Sequence, residues 1–463
     1  MRDQTECPNC KKLARELAEL RQENATLKRR LDALESEVRR AKRQATPFSR
    51  DKKKLNPKKP GRKKGKGVFK HREPPPEDHT KTIEIPLECC PQCGGPLEDR
   101  RTHEHIQTDI PLPRPAHTRF VNESGYCPRC KRRFRSRHPH QTSTAAGAAG
   151  VSVGPNAKAI AADMHHRLGV PYAKIADHFQ TVARLPVTPG ALCQSNMRIG
   201  HKAEPVYREL VEAIRRTCSV HADETGWRIG ILSAWLWVFT SRKITVYTVG
   251  SRGHDVIIEV LGRKFKGVLH SDCFLAYDDK SLSAWLQQKC FAHFLKALSK
   301  MENEKTRGAV NFPRAVTEVL RSALALRREK RRISKRAFAR RFRKMERRLD
   351  ALIDERRQFT DEDNRRFAKR LRKQRRHLFS FLKHDGVEAT NNRAERMLRP
   401  AVIVRKTGGC NKTERGAKTH MILSSILVSA KQLRVDAVDY MKSVITSCGP
   451  VPSLLAAAPR DTS

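Results

Sequence analysis

No stretch of this 463-residue chain is apolar enough to span a bilayer. The longest apolar run, Ile229 to Thr240, is about twelve residues with two Trp and two Ser/Thr among them, against the ~20 that a spanning helix needs. An apolar leader is lacking as well. The chain opens Met-Arg-Asp-Gln-Thr-Glu and runs into charged residues, so no secretory signal is expected and a cytoplasmic location is. Acidic residues are few beside basic ones: 49 Asp plus Glu stand against 95 Lys plus Arg, a formal charge of +46. Such a surplus points to a polyanionic partner, because each cation that neutralises a phosphate releases condensed counterions. Nucleic acid is the expected partner. Thirteen cysteines is an odd number, and in a reducing compartment two C-x-x-C pairs favour metal ligation over a disulfide framework. The length allows two to four domains.

Leu13 to Ala41 follows a heptad, with Leu17, Asn24, Leu31 and Val38 at a and Leu13, Leu20, Leu27, Leu34 and Ala41 at d. A buried Asn at a fixes register in a two-stranded parallel coil. The g-to-e pairs Glu16–Arg21, Glu23–Lys28, Arg30–Glu35 and Glu37–Lys42 are all opposite in sign. A homodimer through residues 13–41 is expected, within a coiled coil spanning 8–45; a single amphipathic helix docked on the body is the alternative. The lone Cys7-Pro-Asn-Cys10 reads as incidental. Arg50 to Arg72 carries 12 Lys/Arg in 23 residues broken by Pro and Gly, too polar for a core, so 46–80 reads as a basic disordered arm. Its Arg62, Lys63 and Lys64 are expected on DNA, at phosphates or in a minor groove.

Cys90-Pro-Gln-Cys93-Gly-Gly and Cys127-Pro-Arg-Cys130 each have the spacing of a zinc knuckle. Together they predict one structural Zn²⁺ in a finger spanning 81–140. Cys89 adjoins Cys90, but only Cys90 keeps the C-x-x-C spacing. Residues 150–215 read as a helical, helix-turn-helix-sized DNA-binding domain, with helices over Asn156–Leu168 and Pro171–Thr181 and a third capped by Thr188; a plain helical bundle remains open.

From Cys218 the residues turn β-branched and aromatic. Cys218–Asp223, Trp235–Thr240 and Ile244–Val249 read as a three-stranded meander, His254–Leu261 as a helix and Gly267–Asp272 as a further strand. Two strands thus end at aspartates, Asp223 and Asp272. Laid parallel and adjacent, their carboxylates converge and call for a cation. Glu224 alternates with Asp223, so one of the two faces the site. A third acidic candidate lies in Glu388-Ala-Thr-Asn-Asn-Arg-Ala-Glu395-Arg396-Met-Leu-Arg399-Pro400.

Asp-Glu-Thr at 223–225, Ser-Asp at 271–272 and Asn-Asn-Arg-Ala-Glu-Arg-Met-Leu-Arg-Pro ending at Pro400 resemble the DDE transposases of the insertion-sequence-66 type. The leucine-rich N-terminal helix, basic arm and four-cysteine finger occur in the same order, and Cys290-Phe-Ala-His293 is a softer match to a Cys-x-Ala-His element. The resemblance implies a multidomain α+β chain with a ribonuclease-H-like core, 216–301 and 386–448, in which Asp223, Asp272 and Glu395 hold two Mg²⁺ ions. It implies binding of terminal inverted repeats, metal-dependent strand cleavage and transfer into target DNA, and accessory proteins of the same element in a bacterial cytoplasm, at the nucleoid. Arg396, Arg399, Arg405 and Lys406 are expected near substrate phosphates.

This sequence departs from the family where Cys273-Phe274 follows the second aspartate, although Tyr277 falls in place. Glu388 rivals Glu395 as third carboxylate; the residue-for-residue motif match favours Glu395. Cys290 and His293, lacking a partner pair, are expected in the core at a strand-to-helix junction, and His221 either tunes the site or packs. Arg327 to Arg376 holds 23 Lys/Arg in 50 residues over an apolar three- and four-residue repeat. It reads as a basic helical insertion, 302–385, with one face packed and the other on DNA. A helix over Lys418–Val444 and a disordered tail over 449–463 complete the expectation. Two other functions remain: a catalytically inactive DNA-binding regulator of the same fold, and a nuclease that hydrolyses without joining.

Overall fold

The computed structural model describes residues 16–28, 30–31, 34, 82–96, 98–99, 101–102, 110, 113–138, 140–141 and 152–459. Contacts divide the chain into two units, Met1–Pro111 and Leu112–Ser463, and each is taken by itself. Heptad positions Leu13, Val38 and Ala41, Cys7 and Cys10, and the arm with Arg62, Lys63 and Lys64 lie outside the described residues. Among the described residues, no helix is long and apolar enough to cross a membrane.

In the first unit, residues 16–28 form helix α1. Leu17, Leu20 and Leu27 stand 48%, 61% and 54% exposed along it. The Cys90 knuckle turns back on itself: the Gly94 N–H donates to the Cys90 carbonyl at 2.8 Å, with Gly94 at φ +71°, a conformation glycine adopts without strain.

The second unit begins with a hairpin, β1 (Ser124–Cys127) against β2 (Arg132–Arg135). Four helices follow: α2 (Pro155–His166), α3 (Tyr172–Ala183), α4 (Pro189–Lys202) and α5 (Glu204–Arg215). The Thr188 hydroxyl accepts from the Ala191 N–H at 3.2 Å, the cap expected before Pro189. A five-stranded mixed sheet comes next, ordered β5 (Thr245–Gly250), β4 (Leu232–Thr240), β3 (Ser219–Ile229), β6 (Val268–Ser271), β7 (Leu286–Lys289). The first three strands are antiparallel, while β6 and β7 run parallel to β3 and to each other. Helix α6 (Asp255–Leu261) makes the crossover from β5 to β6. Gly267 enters β6 where a Cβ would lie 2.4 Å from the Thr217 carbonyl oxygen, so no larger residue fits.

Two strands differ from the sequence expectation. The strand of Asp223 does not end there; it pairs with β4 as far as Ile229↔Leu232, so Asp223 sits mid-strand. The apolar run that began at Ile229 therefore contains the hairpin turn, with Gly230 at φ +60°. The fifth strand, β7, went unread because Leu-Gln-Gln-Lys has no apolar alternation. Its polar groups are nevertheless buried and used: Gln288 Nε2 donates to the Leu378 carbonyl at 3.0 Å, and Lys289 Nζ pairs with Asp278 at 3.0 Å.

The chain between the second aspartate and Glu395 folds largely as helices α7 (Phe291–Glu304), α8 (Asn311–Glu329), α9 (Lys335–Ile353), α10 (Glu362–Gln374) and α11 (Ser380–Lys383). They share an apolar core that includes Phe294, Val316, Leu349 and Leu371. Helix α12 (Asn392–Gly408) lies on one sheet face through Ala394, Leu398, Ala401 and Val404, against Trp227, Leu236 and Val238. Instead of one helix over Lys418–Val444 there are two, α13 (Glu414–Gln432) and α14 (Ala437–Thr446). Arg434 at φ +60° turns the chain, and the Asp436 carboxylate caps α14 by accepting from Val438 and Asp439 N–H groups. Serines in α13 cover the open edge of β5: Ser429 Oγ bonds both the N–H and the carbonyl of Thr245, and Ser425 Oγ accepts from the Tyr247 N–H. This satisfies edge groups that would otherwise invite strand addition. The segment read as a disordered tail packs in part, with Leu454 fully buried and Tyr440 Oη donating to the Pro452 carbonyl at 2.6 Å.

Candidate active site

Parallel register places His221 beside His270 on β3 and β6, so Asp223 and Asp272 stand at matching positions two residues further on. Their carboxylates feel one another. Burial pushes the Asp223 carboxyl up to about 8, and the charges of Glu224, Asp272 and Glu395 push the same way, against the Glu224 N–H that donates to Asp223 Oδ1 at 2.9 Å. Asp272 Oδ1 accepts from the Phe274 N–H at 2.8 Å.

Glu395 arrives from the first turn of α12, whose entry is pinned by Asn391. Asn391 Nδ2 donates to the Ala222 carbonyl at 2.7 Å, its Oδ1 lies 3.2 Å from His221 Nδ1, and its N–H reaches Cys290 Sγ at 3.1 Å. His221 stacks on His270 with ring centroids 4.0 Å apart, and burial lowers its pKa to about 4. It is thus a neutral packing and hydrogen-bonding ring beside the site. Glu388 accepts from Arg393 Nη2 at 2.6 Å and lies near enough to His221 to feel its charge.

Cys290 is buried, as expected, at the start of α7, but His293 is not a core residue. Its ring is about two-fifths exposed, and Nε2 lies 3.8 Å from Glu395 Oε1. Ligand atoms of Cys290, His293 and Glu395 all fall within 4.8 Å of one another. The softer Cys-x-Ala-His element was the signal that could have found this.

Sequence reasoning weighed Glu224 only as the alternate of Asp223. Strand alternation does put it on the face opposite Asp223, yet its carboxylate is buried and pushed up by that burial and by Asp272. Tyr277 Oη donates to Glu224 Oε2 at 3.2 Å, and Arg252 Nη2 reaches Oε1 at 3.3 Å. The Arg252 guanidinium is sandwiched between Trp235 and Phe274, 3.9 and 4.0 Å from the ring centroids. The unexpected Phe274 therefore has a partner: its ring holds Arg252 while its N–H holds Asp272.

Arg396, Arg399 and Lys406 lie exposed on α12. Arg405 turns inward, its Nη1 donating to Thr225 Oγ1 at 2.8 Å and to the Gly226 carbonyl at 2.9 Å. An open groove of about 1020 Å³ adjoins the loop after Asp272, lined by Cys273, Leu275 and Asp278 and by Arg365, Arg366, Lys369, Arg370, Arg372 and Lys373 of α10.

At the two knuckles, N–H groups of Cys93 and Gln92 hold the Cys90 thiol below its usual range, and the N–H of Cys130 does the same for Cys127.

No curated protein matches this chain. Residues 150–419, more than half of it and inclusive of Asp223, Asp272 and Glu395, match the family described as Transposase IS66 family. The chain belongs to the IS66 family of transposases.

Proposed function

We propose that this protein binds the terminal inverted repeats of its own element and catalyses DNA strand cleavage and strand transfer, with Asp223, Asp272 and Glu395 as the catalytic carboxylates. The observation that carries the reading is the Asp223 environment. A carboxyl raised to about 8 by burial and by three further acidic groups is a site short of positive charge. The donor set is hard oxygen, which suits Mg²⁺, so on this reading Asp223, Asp272 and Glu395 would hold two Mg²⁺ ions. Bound there, they supply Lewis-acid activation of an attacking oxygen and stabilisation of the leaving oxygen in an in-line phosphoryl displacement.

The chain's own residues do the rest. Asn391 fixes the α12 entry against β3 and so sets Glu395 relative to Asp223. The Phe274 N–H orients the Asp272 carboxylate. His293, within reach of Glu395, is a candidate to hold or move a proton there. The exposed Arg396, Arg399 and Lys406, with the basic groove of α10, are suited to hold phosphates near the carboxylates. Arg62, Lys63 and Lys64, and the helical 150–215 segment, add DNA contacts on this reading. The C-x-x-C spacing of Cys90 with Cys93, and of Cys127 with Cys130, supports structural Zn²⁺ ligation by these cysteines. Exposed leucines on α1 support the homodimer.

The test is purified full-length protein with labelled DNA carrying the terminal repeats, in Mg²⁺ or EDTA, with and without the element's neighbouring gene products. Metal-dependent nicking followed by joining is expected. Asp223→Asn, Asp272→Asn and Glu395→Gln are each expected to abolish both while DNA binding persists. Nicking without joined product points to a nuclease, binding without nicking in every mixture points to a regulator, and variants that cut at the wild-type rate overturn the site.

A further inference from the structure

Away from the carboxylates, three histidines meet inside the second unit. His165 and His166 end α2, and His420 lies in α13; one nitrogen from each falls within 4.8 Å of the others. His166 and His420 are buried. Neither ring nitrogen of His166 has a hydrogen-bond partner, and Nδ1 of His420 has none. A buried imidazole nitrogen without a partner is costly, so three in one place ask for an occupant.

The surroundings select the kind of occupant. His165 Nδ1 lies 2.9 Å from the Val170 carbonyl oxygen, a bond that fixes the tautomer with the proton on Nδ1 and leaves Nε2 as a free lone pair. Its ring is clamped by stacking on Tyr172, centroids 3.9 Å apart, and the His420 ring stacks on Trp227 at 5.1 Å. Burial holds all three rings below the usual imidazole range, His420 at about 3. They are neutral near pH 7, the form that ligates a metal without first losing a proton. The nearest acidic side chain of α2, Asp163, is taken by a two-pronged ion pair with Arg167. The donor set is therefore three neutral nitrogens with no carboxylate, which suits a borderline transition cation and not Mg²⁺. The two α2 rings also sit in the last turn of their helix, the end that favours a cation.

We propose that His165, His166 and His420 form a three-nitrogen site for Zn²⁺ or a similar divalent transition cation, clasping α2 to α13. A zinc 2.0–2.1 Å from each nitrogen needs them about 3.4 Å apart, so side-chain rotation of roughly one ångström closes the site, with water in the fourth position. The clasp fastens the helices before the sheet to the helix that covers its edge. Through Trp227 it also bears on β3, four residues beyond Asp223. It is independent of the knuckle cysteines and of the carboxylates, and stands whether or not the strand-transfer reading does.

The experiment uses the full-length chain carrying Cys90→Ser and Cys127→Ser, which removes knuckle thiolates, stripped with EDTA and titrated with Zn²⁺ alone in excess Mg²⁺. Retention of about one zinc per chain through gel filtration, a nitrogen and oxygen shell without sulfur by X-ray absorption, and a rise in Tm of about 5 °C or more are expected. His420→Gln and His166→Gln should each lose that zinc, whereas His293→Ala should keep it. Circular dichroism checks that the glutamine variants remain folded, and His165→Ala, at the half-buried ring, provides a milder third removal. The proposal is overturned if the folded cysteine variant retains no zinc, if the shell contains sulfur, or if the zinc survives loss of His420 and His166.

Discussion

Asn391 Nδ2 donates to the Ala222 carbonyl at 2.7 Å, one residue before Asp223, so a side chain at the mouth of α12 sets the third carboxylate against the first. The same amide faces His221, and the backbone N–H of Asn391 reaches the Cys290 sulfur. Asn391→Ala removes the amide's buried bonds to the Ala222 carbonyl and to His221 Nδ1, at a cost of about 2–3 kcal/mol. Chemical denaturation should show that loss. Cleavage should fall by more than Asn392→Ala reduces it, since Asn392 is exposed. Equal effects of the two substitutions on cleavage would dissociate Asn391 from the geometry of the site.

The raised Asp223 carboxyl predicts an inverted pH dependence for the metal-free protein. An acid whose folded pKa, about 8, lies above its ordinary value of 3.8 binds a proton more tightly folded than unfolded. Its contribution is fully present below about pH 4 and is lost as pH rises towards 8, by up to about 1.4 kcal/mol per pH unit. In EDTA, wild type should therefore lose stability between pH 5 and 8 relative to Asp223→Asn, measured as Tm against pH. Saturating Mg²⁺ should narrow that difference. Parallel curves in EDTA would show that Asp223 ionises freely.

These two residues also mark what the sequence discloses. The family was legible because the motifs around Asp223, Asp272 and Glu395 are short, local and ordered, and the Thr188 cap and the meander because their signals lie within a few residues. What stayed hidden depends on partners far apart in sequence. Glu224 looked like the idle neighbour of Asp223, since alternation gives no hint that Tyr277 and Arg252 hold its carboxylate on the other face. Arg405 looked like one more phosphate ligand, since its target is the backbone of β3. β7 was hidden because its glutamines and lysine are satisfied only by the helices packed on it.

Arg252 should not tolerate lysine. The planar guanidinium lies between Trp235 and Phe274 while pairing with Glu224, an arrangement an ammonium cannot reproduce. Cation–π contacts of this kind contribute about 1–2 kcal/mol. Arg252→Lys should loosen the loop that carries Phe274 and Asp272 and slow cleavage roughly tenfold, with the circular dichroism spectrum unchanged. An unaltered cleavage rate would mean the sandwich does not position Asp272.

Arg399 and Arg405 lie six residues apart on one helix and should fail differently. Arg405→Ala removes two hydrogen bonds between α12 and β3 and should cost about 1–3 kcal/mol of stability. Arg399→Ala should leave Tm unchanged, weaken binding to all DNA sequences alike, and reduce the slope of log K against log salt by about one. Binding isotherms at several salt concentrations beside thermal melts separate the two. A stability loss at Arg399, or a salt effect confined to Arg405, reverses the assignment.

Leu17, Leu20 and Leu27 are all exposed on the described helix, an apolar stripe that a second copy of α1 would cover. On the heptad, Asn24 sits between them at an a position, where an Asn pair in a parallel dimer fixes register at a cost in stability. Leu20→Glu with Leu27→Glu should yield a monomer by light scattering. Asn24→Val should do the opposite to stability, raising Tm while admitting higher oligomers as the polar pair is lost. If the double glutamate variant remains dimeric, association runs through another surface and the α1 stripe covers something else.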